Sequence, residues 1–292
     1  MSVMVGIGEV LWDVFANRQI LGGAPANFAY HAAQLGHQAF IVSRVGNDRL
    51  GRRLLSALCA DRLATDYIQS DPEHATGTVR VKLAADGTPD FTITPDVAWD
   101  YLEPSDSLIG LAERTDAVCF GSLAQRNRRS RQTIEQFLDA AAGALKVFDI
   151  NLRQHYWSAE IIKAGLDRAD LLKLNDHEQA KLAELLPGPD GPVDWARSVI
   201  DRYDLRLVCV TRGSRGCLLV SGDQHAEHPG FEVNVVDTVG SGDAFTAALV
   251  SGYLADQPLP DLAKFANRIG AYVATQPGAT PAHPPLPNGH AR

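Results

Sequence analysis

The apolar positions of this chain alternate between two spacings, and the alternation predicts strands and helices in turn. Residues 3–8 form a short apolar run typical of a strand, and residues 22–35 carry alanine, phenylalanine and leucine at helical spacing. Residues 39–45 repeat the strand pattern, and residues 48–63 place leucines on one face of an amphipathic helix. The N-terminal part of the chain therefore predicts the order β-α-β-α.

Residues 76–83 and 90–94 interrupt this order, because apolar and polar residues alternate there as in exposed strands. The sequence Ala-Asp-Gly-Thr at residues 85–88 joins the two runs and predicts an antiparallel hairpin. A two-stranded insertion is unstable unless it packs on something else. We therefore expect a small β lid at about residues 74–96 that covers a site or contacts a second copy of the chain.

The α/β alternation resumes after the hairpin and continues almost to the end of the chain. Strands are predicted over residues 117–120, 145–150, 171–174, 207–211 and 217–221, and helices over 130–142, 159–169, 178–185, 195–203, 243–254 and 262–275. This alternation predicts one α/β domain over residues 1–292, with a doubly wound, mostly parallel sheet and helices on both faces. Residues 281–292 are rich in proline and predict a flexible tail.

Composition narrows the class of protein. At 292 residues and 45% apolar content, the chain can bury a large core. Its 27 basic and 35 acidic residues give a net charge of −8, which disfavours a nucleic-acid partner. The short basic run at residues 126–131 is expected to be the solvated start of a helix. The sequence has no apolar run of the ~18 residues that a membrane span needs and no leader pattern, so we expect a cytoplasmic protein without a membrane partner.

The cysteines and histidines carry no metal-binding pattern. Cys59, Cys119, Cys209 and Cys217 are scattered without a CxxC pair, and we expect them to be reduced residues of the core. The histidines are dispersed without the spacing of zinc ligands. The sequence therefore predicts no zinc site.

The segment most suggestive of chemistry is Gly-Ser-Gly-Asp at residues 240–243, between β-branched residues and an apolar helix. Two glycines at alternate positions let the backbone turn tightly, and the amide N–H groups of a starting helix attract an anion. Asp243 would then lie beside the anion, where a carboxylate can take a proton or hold a metal. The alternative interpretation is an ordinary strand-to-helix turn with Asp243 as the N-cap.

Two glycine patterns near the N-terminus do not fit known phosphate-binding loops. Residues 46–51 have the glycine spacing of a P-loop, but Arg52 and Arg53 stand where lysine and serine or threonine are required. Residues 6–11 lack the third glycine of a dinucleotide fingerprint. A nicotinamide-dependent oxidoreductase is therefore disfavoured.

Other polar clusters follow predicted strands, where open α/β sheets bind their ligands. Asp13 could accept bonds from ligand hydroxyls or cap a turn, and residues 22–27 (Gly-Gly-Ala-Pro-Ala-Asn) could admit a polyol or form a simple helix start. In residues 149–153, Arg153 could pair with a phosphate or a sugar carboxylate, or bridge to Asp149.

Two further clusters have both a structural and a functional interpretation. Asn175 and Glu178 match a capping box, and the glutamate could also hold hydrated Mg²⁺. Residues 211–216 (Thr-Arg-Gly-Ser-Arg-Gly) suit a nucleotide phosphate or a plain hairpin. The residues alone leave these alternatives open.

Together the clusters resemble the PfkB family of carbohydrate kinases, also called the ribokinase family, over essentially the whole chain. The family's N-terminal glycine motif is matched by residues 22–27 and its C-terminal signature by residues 237–243, Asp-Thr-Val-Gly-Ser-Gly-Asp. Its N-x-x-E motif is matched by residues 175–178 and its T-x-G-x-x-G stretch by residues 211–216. The form of the first motif, with residues 149–153, is most similar to the fructokinase branch.

The resemblance implies a ribokinase-like fold with a β lid and an ATP-dependent transfer of a phosphoryl group to a sugar hydroxyl. Asp243 would be the general base, and the anion hole would be formed by the amides of Gly240, Ser241, Gly242 and Asp243. The sugar would be bound by Asp13, Gly23, Asn27 and Arg153. ATP would lie near Asn175, Thr211, Gly213, Gly216 and Asn267, Mg²⁺ near Glu178 through water, and K⁺, in members that bind it, near Asp237.

Several functions are compatible with this resemblance. Phosphorylation of fructose to fructose 6-phosphate is the first expectation. Kinases of 2-keto-3-deoxygluconate, ribose or a nucleoside are alternatives within the enzyme class, and a homodimer through the lid is a further expectation. A non-catalytic sugar- or nucleotide-binding regulator is the alternative of another class, which Asp243 argues against because a binding module gains nothing from a carboxylate facing a phosphate.

Overall fold

The computed structural model describes residues 1–83 and 89–284. Its strands are β1 (Val3–Ile7), β2 (Leu11–Val14), β3 (Gln19–Gly22), β4 (Gln38–Gly46), β5 (Ile68–Asp71), β6 (Thr78–Leu83), β7 (Pro89–Ile93), β8 (Ala117–Phe120), β9 (Leu145–Asp149), β10 (Leu171–Asn175), β11 (Leu207–Thr211), β12 (Cys217–Ser221) and β13 (Gln224–His228). Its helices are α1 (Ala24–Gln34), α2 (Arg49–Ala60), α3 (Asp106–Glu113), α4 (Arg128–Ala140), α5 (Ala159–Leu166), α6 (Asp176–Leu185), α7 (Pro192–Tyr203), α8 (Ser241–Leu254) and α9 (Leu259–Ala274). Short 3₁₀ turns cover Ala98–Tyr101, Leu123–Arg126 and Gly213–Arg215.

The main sheet has the strand order β13-β12-β11-β10-β9-β8-β1-β4-β5. From β11 to β5 along this order, each strand pairs in parallel with its neighbour. At the other end, β12 and β13 add an antiparallel edge. The strand order reverses at β1, which lies between β4 and β8. Open α/β sheets bind ligands beyond the carboxyl ends of strands at such a reversal.

Helices cover both faces of this sheet, so its central strands are buried on both faces and are mostly apolar. All four residues of β8 are buried. Phe28 of α1, Leu249 of α8 and Val273 of α9 belong to the core on one face, whereas Phe137 of α4 and Trp195 of α7 belong to the core on the other. The predicted doubly wound, mostly parallel α/β fold is thus confirmed.

A second, four-stranded sheet has the order β3-β2-β6-β7. The predicted hairpin forms its β6–β7 half, with Val79 opposite Ile93, while the predicted turn at 85–88 lies outside the described residues. The other half, β2 and β3, was not predicted, because four-residue strands carry too little alternation. The lid is therefore built from two separate segments of the chain.

Two other expectations are wrong in detail. Cys59 is exposed, whereas Cys119, Cys209 and Cys217 are buried as expected. Arg126, the first of the basic run, is buried against Asp100, with its Nη2 atom 2.7 Å from the carboxylate and its guanidinium over the ring of Trp99. The elements β5, α3 and β13 were also not predicted.

The C-terminal residues are described only as far as residue 284. Of the predicted tail, residues 285–292 lie outside the described residues. Tyr272 of α9 donates a hydrogen bond from its hydroxyl to the Ala282 carbonyl, 2.8 Å away. Within the described residues, no helix is long and apolar enough to cross a membrane.

Candidate active site

The polar clusters meet at the carboxyl edge of the main sheet. Asp149, Asn175 and Thr211 are the last residues of the neighbouring strands β9, β10 and β11. The start of α8 lies at the same edge, where Thr246 of α8 donates a hydrogen bond to Asp149 over 3.0 Å. The sheet topology thus brings residues from four separate parts of the chain to one edge of the sheet, where such sheets bind ligands.

The start of α8 presents backbone N–H groups. Gly240, the N-cap, has a left-handed conformation with φ of 77°. The first helical bond runs from the Ala244 N–H to the Gly240 carbonyl, and the Ser241 N–H donates to the Thr238 carbonyl. The N–H groups of Gly242 and Asp243 come before that first helical bond, so they are free of an intrahelical partner and can bind an anion.

Glycine is required at position 240 by its neighbour as well as by its conformation. A Cβ atom there would lie 2.3 Å from the Ala279 carbonyl oxygen. The side chain of Ser241 points away from the anion site, because its Oγ donates to the Gly270 carbonyl of α9 over 2.9 Å. Ser241 therefore anchors the helix start, and its contribution to the site is that of the backbone.

Asp243 does not cap its helix. It lies in the first turn of α8, half-buried, and its Oδ2 accepts a hydrogen bond from Asn27 Nδ2 over 2.7 Å. Burial raises the pKa of Asp243 to about 6, and the negative charge of Asp149 adds to this effect; the Asn27 bond and the positive charges of Lys173 and Arg153 oppose it. A carboxylate with a pKa near the working pH is suited to proton transfer.

Lys173 is a member of the site that the sequence analysis missed. Its Nζ lies 3.0 and 3.1 Å from the two carboxylate oxygens of Asp149. A Cβ atom on Gly242 would be 3.5 Å from this Nζ, so the ammonium group lies directly behind the anion site. Burial lowers the pKa of Lys173, but the carboxylates of Asp149, Glu178 and Asp243 raise it above the ordinary value, so the lysine is charged.

The sugar-binding residues predicted from the first motif lie at the start of α1 and on β2. Gly23 has φ of 114°, and a Cβ atom there would be 2.5 Å from the Glu9 carbonyl oxygen. Gly22 leaves room for the neighbouring strand, since a Cβ there would be 2.8 Å from Asp13 Oδ2. Burial raises the pKa of Asp13 to about 6 against the opposing charge of Arg153.

Arg153 lies in the loop after β9, which contains two residues in the left-handed region. Asn151 has φ of 41° and Gln154 has φ of 47°. Such strained backbone is concentrated at functional sites. Of the predicted partners of Arg153, Asp149 is paired with Lys173 instead.

Glu9 is a second residue that the sequence analysis missed. The side chain is only 3% exposed, and its Oε2, like Asn27 Oδ1, has no hydrogen-bond partner within the described residues. Burial raises the pKa of Glu9 to about 7, the N–H groups of Glu9 and Ala24 and the charge of Arg153 oppose this shift, and Asp243 adds to it. The loop after β1 and the start of α1 thus each carry a buried polar atom that a bound molecule could satisfy.

Asn175 and Glu178 form a complete capping box. The Glu178 N–H donates to Asn175 Oδ1 over 2.9 Å, and the Asn175 N–H donates to Glu178 Oε2 over 2.8 Å. The other carboxylate oxygen of Glu178 accepts the Leu152 N–H, 2.8 Å away. Both oxygens are thereby engaged, so the donor set suits a hydrated ion contacted through water better than a directly bound one. Within residues 1–83 and 89–284, no three His, Cys, Asp or Glu side chains are grouped as metal ligands.

The remaining predicted residues lie at the end of β11, in the turn that follows it, and on α9. The turn after β11 has Gly213 and Gly216 in left-handed conformations; open space surrounds Gly213, whereas a Cβ on Gly216 would be 1.8 Å from the His228 carbonyl oxygen. Thr211 Oγ1 donates to the Leu174 carbonyl over 3.4 Å. Asn267 of α9 is buried behind this turn, its Nδ2 3.0 Å from the Sγ of Cys217.

Asp237 connects the segment before α8 to the C-terminal loop. Its Oδ1 accepts the Val239 N–H over 3.0 Å, and its Oδ2 accepts the Gly278 N–H over 3.2 Å. The carboxylate and the surrounding carbonyl groups are oxygen donors of the kind that alkali-metal ions take. Asp237 is therefore placed to support the loop with or without an ion.

Comparison with known proteins agrees with the geometry. The family model described as pfkB family carbohydrate kinase matches residues 6–285. Fructokinase-1 of Zea mays is 33% identical over 278 residues, covering 90% of this chain and 85% of that protein. A fructokinase from Xylella fastidiosa with bound ATP superimposes with a TM-score of 0.84 at 26% identity, covering 97% of this chain and 95% of that one.

A double mutant of the fructokinase from Vibrio cholerae O395, in a fructose-, ADP- and potassium-bound form, gives a TM-score of 0.79 at 26% identity, with 97% of this chain and 95% of that one covered. The family model covers nearly the whole chain, including the lid, the sheet and α8. The chain therefore belongs to the pfkB family of carbohydrate kinases.

Proposed function

We propose that this protein is an ATP-dependent sugar kinase and that D-fructose is its substrate. One observation carries the proposal: two features occur together at the start of α8. These are the Asp243 carboxylate, with its pKa raised to about 6, and the N–H groups of Gly242 and Asp243, which have no intrahelical partner. A base and an anion site in contact are what phosphoryl transfer to a hydroxyl needs. The fructokinase names of the relatives from Zea mays, Xylella and Vibrio support the choice of sugar.

In the proposed reaction, Asp243 takes the proton of a sugar hydroxyl as its oxygen attacks the γ-phosphorus of ATP. The new bond joins the sugar oxygen to phosphorus, the bond from phosphorus to the bridging oxygen breaks, and ADP leaves with that electron pair. The N–H groups of Gly242 and Asp243 stabilise charge on the transferred group. Asn27 orients the base through its 2.7 Å hydrogen bond.

ATP would occupy the crevice between the α8 start and the turn at residues 211–216, where Gly213 leaves the backbone bare. Mg²⁺, contacted through water from Glu178, would neutralise phosphate charge. The bound K⁺ of the Vibrio enzyme supports a K⁺ dependence here, with Asp237 near the ion. Activity in K⁺ compared with tetramethylammonium at equal ionic strength tests this part: equal rates would contradict it.

The charges around Arg153 favour a neutral sugar over a sugar acid. Arg153 lies close enough to Glu9, Asp13 and Asp243 to lower the pKa of each. The negative charges of these three carboxyl groups, when ionised, oppose binding of the carboxylate of 2-keto-3-deoxygluconate near Arg153. A neutral polyol instead offers hydroxyl donors to these acceptors. Ribose and nucleosides satisfy the same criterion and are the alternatives that the assay below must distinguish.

The test is ADP release from Mg²⁺-ATP with fructose, tagatose, ribose, adenosine and 2-keto-3-deoxygluconate, using Asp243→Asn as the catalytic control. We expect the highest kcat/KM with fructose and the lowest with the acid. A preference for the acid would overturn the charge argument, and a preference for ribose or adenosine would overturn the choice of fructose. Binding of sugar and ATP by calorimetry without turnover of any sugar would favour the non-catalytic regulator.

We also propose a homodimer through the lid. In the four-stranded sheet, β3 and β7 are the edge strands, and an edge strand can pair with a second chain. Light scattering after size-exclusion chromatography measures the mass directly. A mass of one chain, about 31.5 kDa, at micromolar concentration would contradict the dimer.

A further inference from the structure

The C-terminal loop after α9 packs against the residue that opens the anion site. Ala279 is only 2% exposed. A Cβ atom on Gly240 would lie 2.7 Å from the Ala279 Cα as well as 2.3 Å from its carbonyl oxygen. The backbones of Gly240 and Ala279 are therefore in direct contact, and a displacement of one must displace the other.

A pair of histidines, one buried and one half-buried, holds Ala279 in place. His31 of α1 is fully buried, with Nε2 2.9 Å from the Ala279 carbonyl oxygen and Nδ1 2.9 Å from Nε2 of His283. A carbonyl can only accept, so Nε2 of His31 carries the proton and Nδ1 accepts the proton of His283. The two rings stack at a centroid distance of 5.0 Å. Both are neutral, since burial lowers the pKa of His31 to about 3 and that of His283 to about 4.

The same face of α1 reaches both parts of the catalytic site. Asn27 and His31 are one helical turn apart and therefore lie on one face. Asn27 contacts the carboxylate of Asp243, and His31 contacts Ala279 behind Gly240. The backbone N–H of His283 donates to Oε1 of Gln34, on the next turn of α1, over 3.2 Å. The base and the anion site are thus positioned by one helix.

We propose that His31 and His283 form a clamp that positions the anion hole through Ala279 and Gly240, and that this clamp contributes to the rate of phosphoryl transfer without touching the substrate. The proposal rests on the proposed function, because it takes the α8 start to receive the transferred group. Loss of one anion-hole donor typically lowers kcat by ~10²–10³. Loosening the clamp displaces the donors without removing them, so we expect a loss of about tenfold.

The test compares His31→Leu with His31→Gln. Glutamine keeps one donor for Ala279 and one acceptor for His283, whereas leucine fills similar space and has neither. We expect leucine to lower kcat about tenfold with KM for the sugar nearly unchanged, and glutamine to retain most of the activity. His283→Ala, which removes only the outer ring, is the second variant if His31→Leu does not fold.

His37→Leu is the matched control. His37 Nε2 lies 2.8 Å from Ser251 Oγ, so this histidine contacts the far end of α8. Its loss should leave kcat unchanged even if the thermal midpoint falls. A His31→Leu enzyme with wild-type kcat, or a glutamine variant impaired as much as the leucine variant, would show that His31 is only a packing residue.

A readout independent of turnover separates this proposal from the proposed function. Amide hydrogen exchange at residues 240–243 should be faster in His31→Leu than in the wild type and in His37→Leu. Unchanged exchange would overturn the clamp even in an active kinase. Faster exchange in a protein that phosphorylates no sugar would retain the clamp and overturn the proposed function.

Discussion

The two halves of the candidate active site are built differently. On the phosphoryl side, Asp243, Lys173, Asp149 and Thr246 each have a side-chain partner at 2.7–3.1 Å. On the sugar side, Glu9 Oε2 and Asn27 Oδ1 have no hydrogen-bond partner within the described residues. The pKa of the Asp13 carboxyl group is raised by burial and lowered only by the charge of Arg153.

The difference follows from what each half does. Phosphoryl transfer gains most from donors and charges that are fixed before the substrate arrives, since they need no reorganisation during the reaction. Recognition of a sugar gains from polar groups that only the right hydroxyls can satisfy, because a wrong substrate leaves them unpaired. The chemistry should therefore depend on contacts already present, and the specificity on contacts still to be made.

The largest expected effect is that of Asp243→Asn. Asparagine keeps the shape and a bond to Asn27 but cannot take the proton, so kcat should fall by ~10²–10⁴ while KM for sugar and ATP changes little. Steady-state kinetics over both substrates measure each quantity. Near-normal turnover would contradict the role of Asp243 as the base. It would also contradict the view that the fixed contacts of the phosphoryl side serve the reaction.

Lys173→Met tests the same side through stability. The substitution leaves the buried carboxylate of Asp149 without its partner, which typically costs about 3–5 kcal/mol of unfolding free energy. Replacing both residues, Lys173→Met with Asp149→Leu, should restore most of the stability measured by urea denaturation but not kcat. Recovery of kcat in the double variant would show that the pair serves only the fold.

The parts of this protein that the sequence predicts are those encoded by contiguous residues, on both sides of the candidate site. The alternating pattern predicted the parallel sheet, and the motifs at residues 22–27 and 240–243 are contiguous, so the sequence alone could propose them as parts of one site. Lys173 was missed because its meaning depends on the register that places it opposite Asp149, 24 residues away. Strands β2 and β3 were missed because a strand of four residues carries little pattern. In addition, β6, which pairs with β2, is distant in the sequence.

On the sugar side, Asp13→Asn should mainly weaken sugar binding. A hydrogen bond to a charged group is typically worth about 1.5–3 kcal/mol, so KM for the sugar should rise ~10–100-fold while KM for ATP is unchanged. Gln19→Ala is the matched control on the same small sheet, since the Gln19 side chain accepts a hydrogen bond from Arg53, outside the candidate site. A loss in kcat with an unchanged KM for the sugar would place Asp13 in the chemistry instead.

The smallest effect, and the one that connects the two halves, is the pH dependence of activity and stability. Because the pKa of Asp243 is raised to about 6, its protonation should lower kcat/KM for the sugar about tenfold per pH unit below that value, and protonation of Asp13, with a pKa also raised to about 6, should make the fall steeper; the profile should level off above pH 7. The contribution of Asp243 to the free energy of unfolding should change with pH in the opposite direction. The folded protein holds this proton more tightly than the unfolded chain, so ionised Asp243 destabilises the fold above pH 6, and this cost disappears as the pH falls from 6 towards the unfolded value near 3.8.

Asp243→Asn isolates this contribution from those of the other carboxyl groups and of His31 and His283. The lowered pKa values of the two histidines act in the opposite direction. At pH 8 the variant should unfold at higher urea concentration than the wild type, and the difference should vanish towards pH 4. A variant less stable than the wild type at pH 8 would mean that the bond from Asn27 outweighs the burial of the charge. The ionised Asp243 on the phosphoryl side would then stabilise the fold. We expect the opposite: that this charge lowers stability and is retained because the reaction needs it.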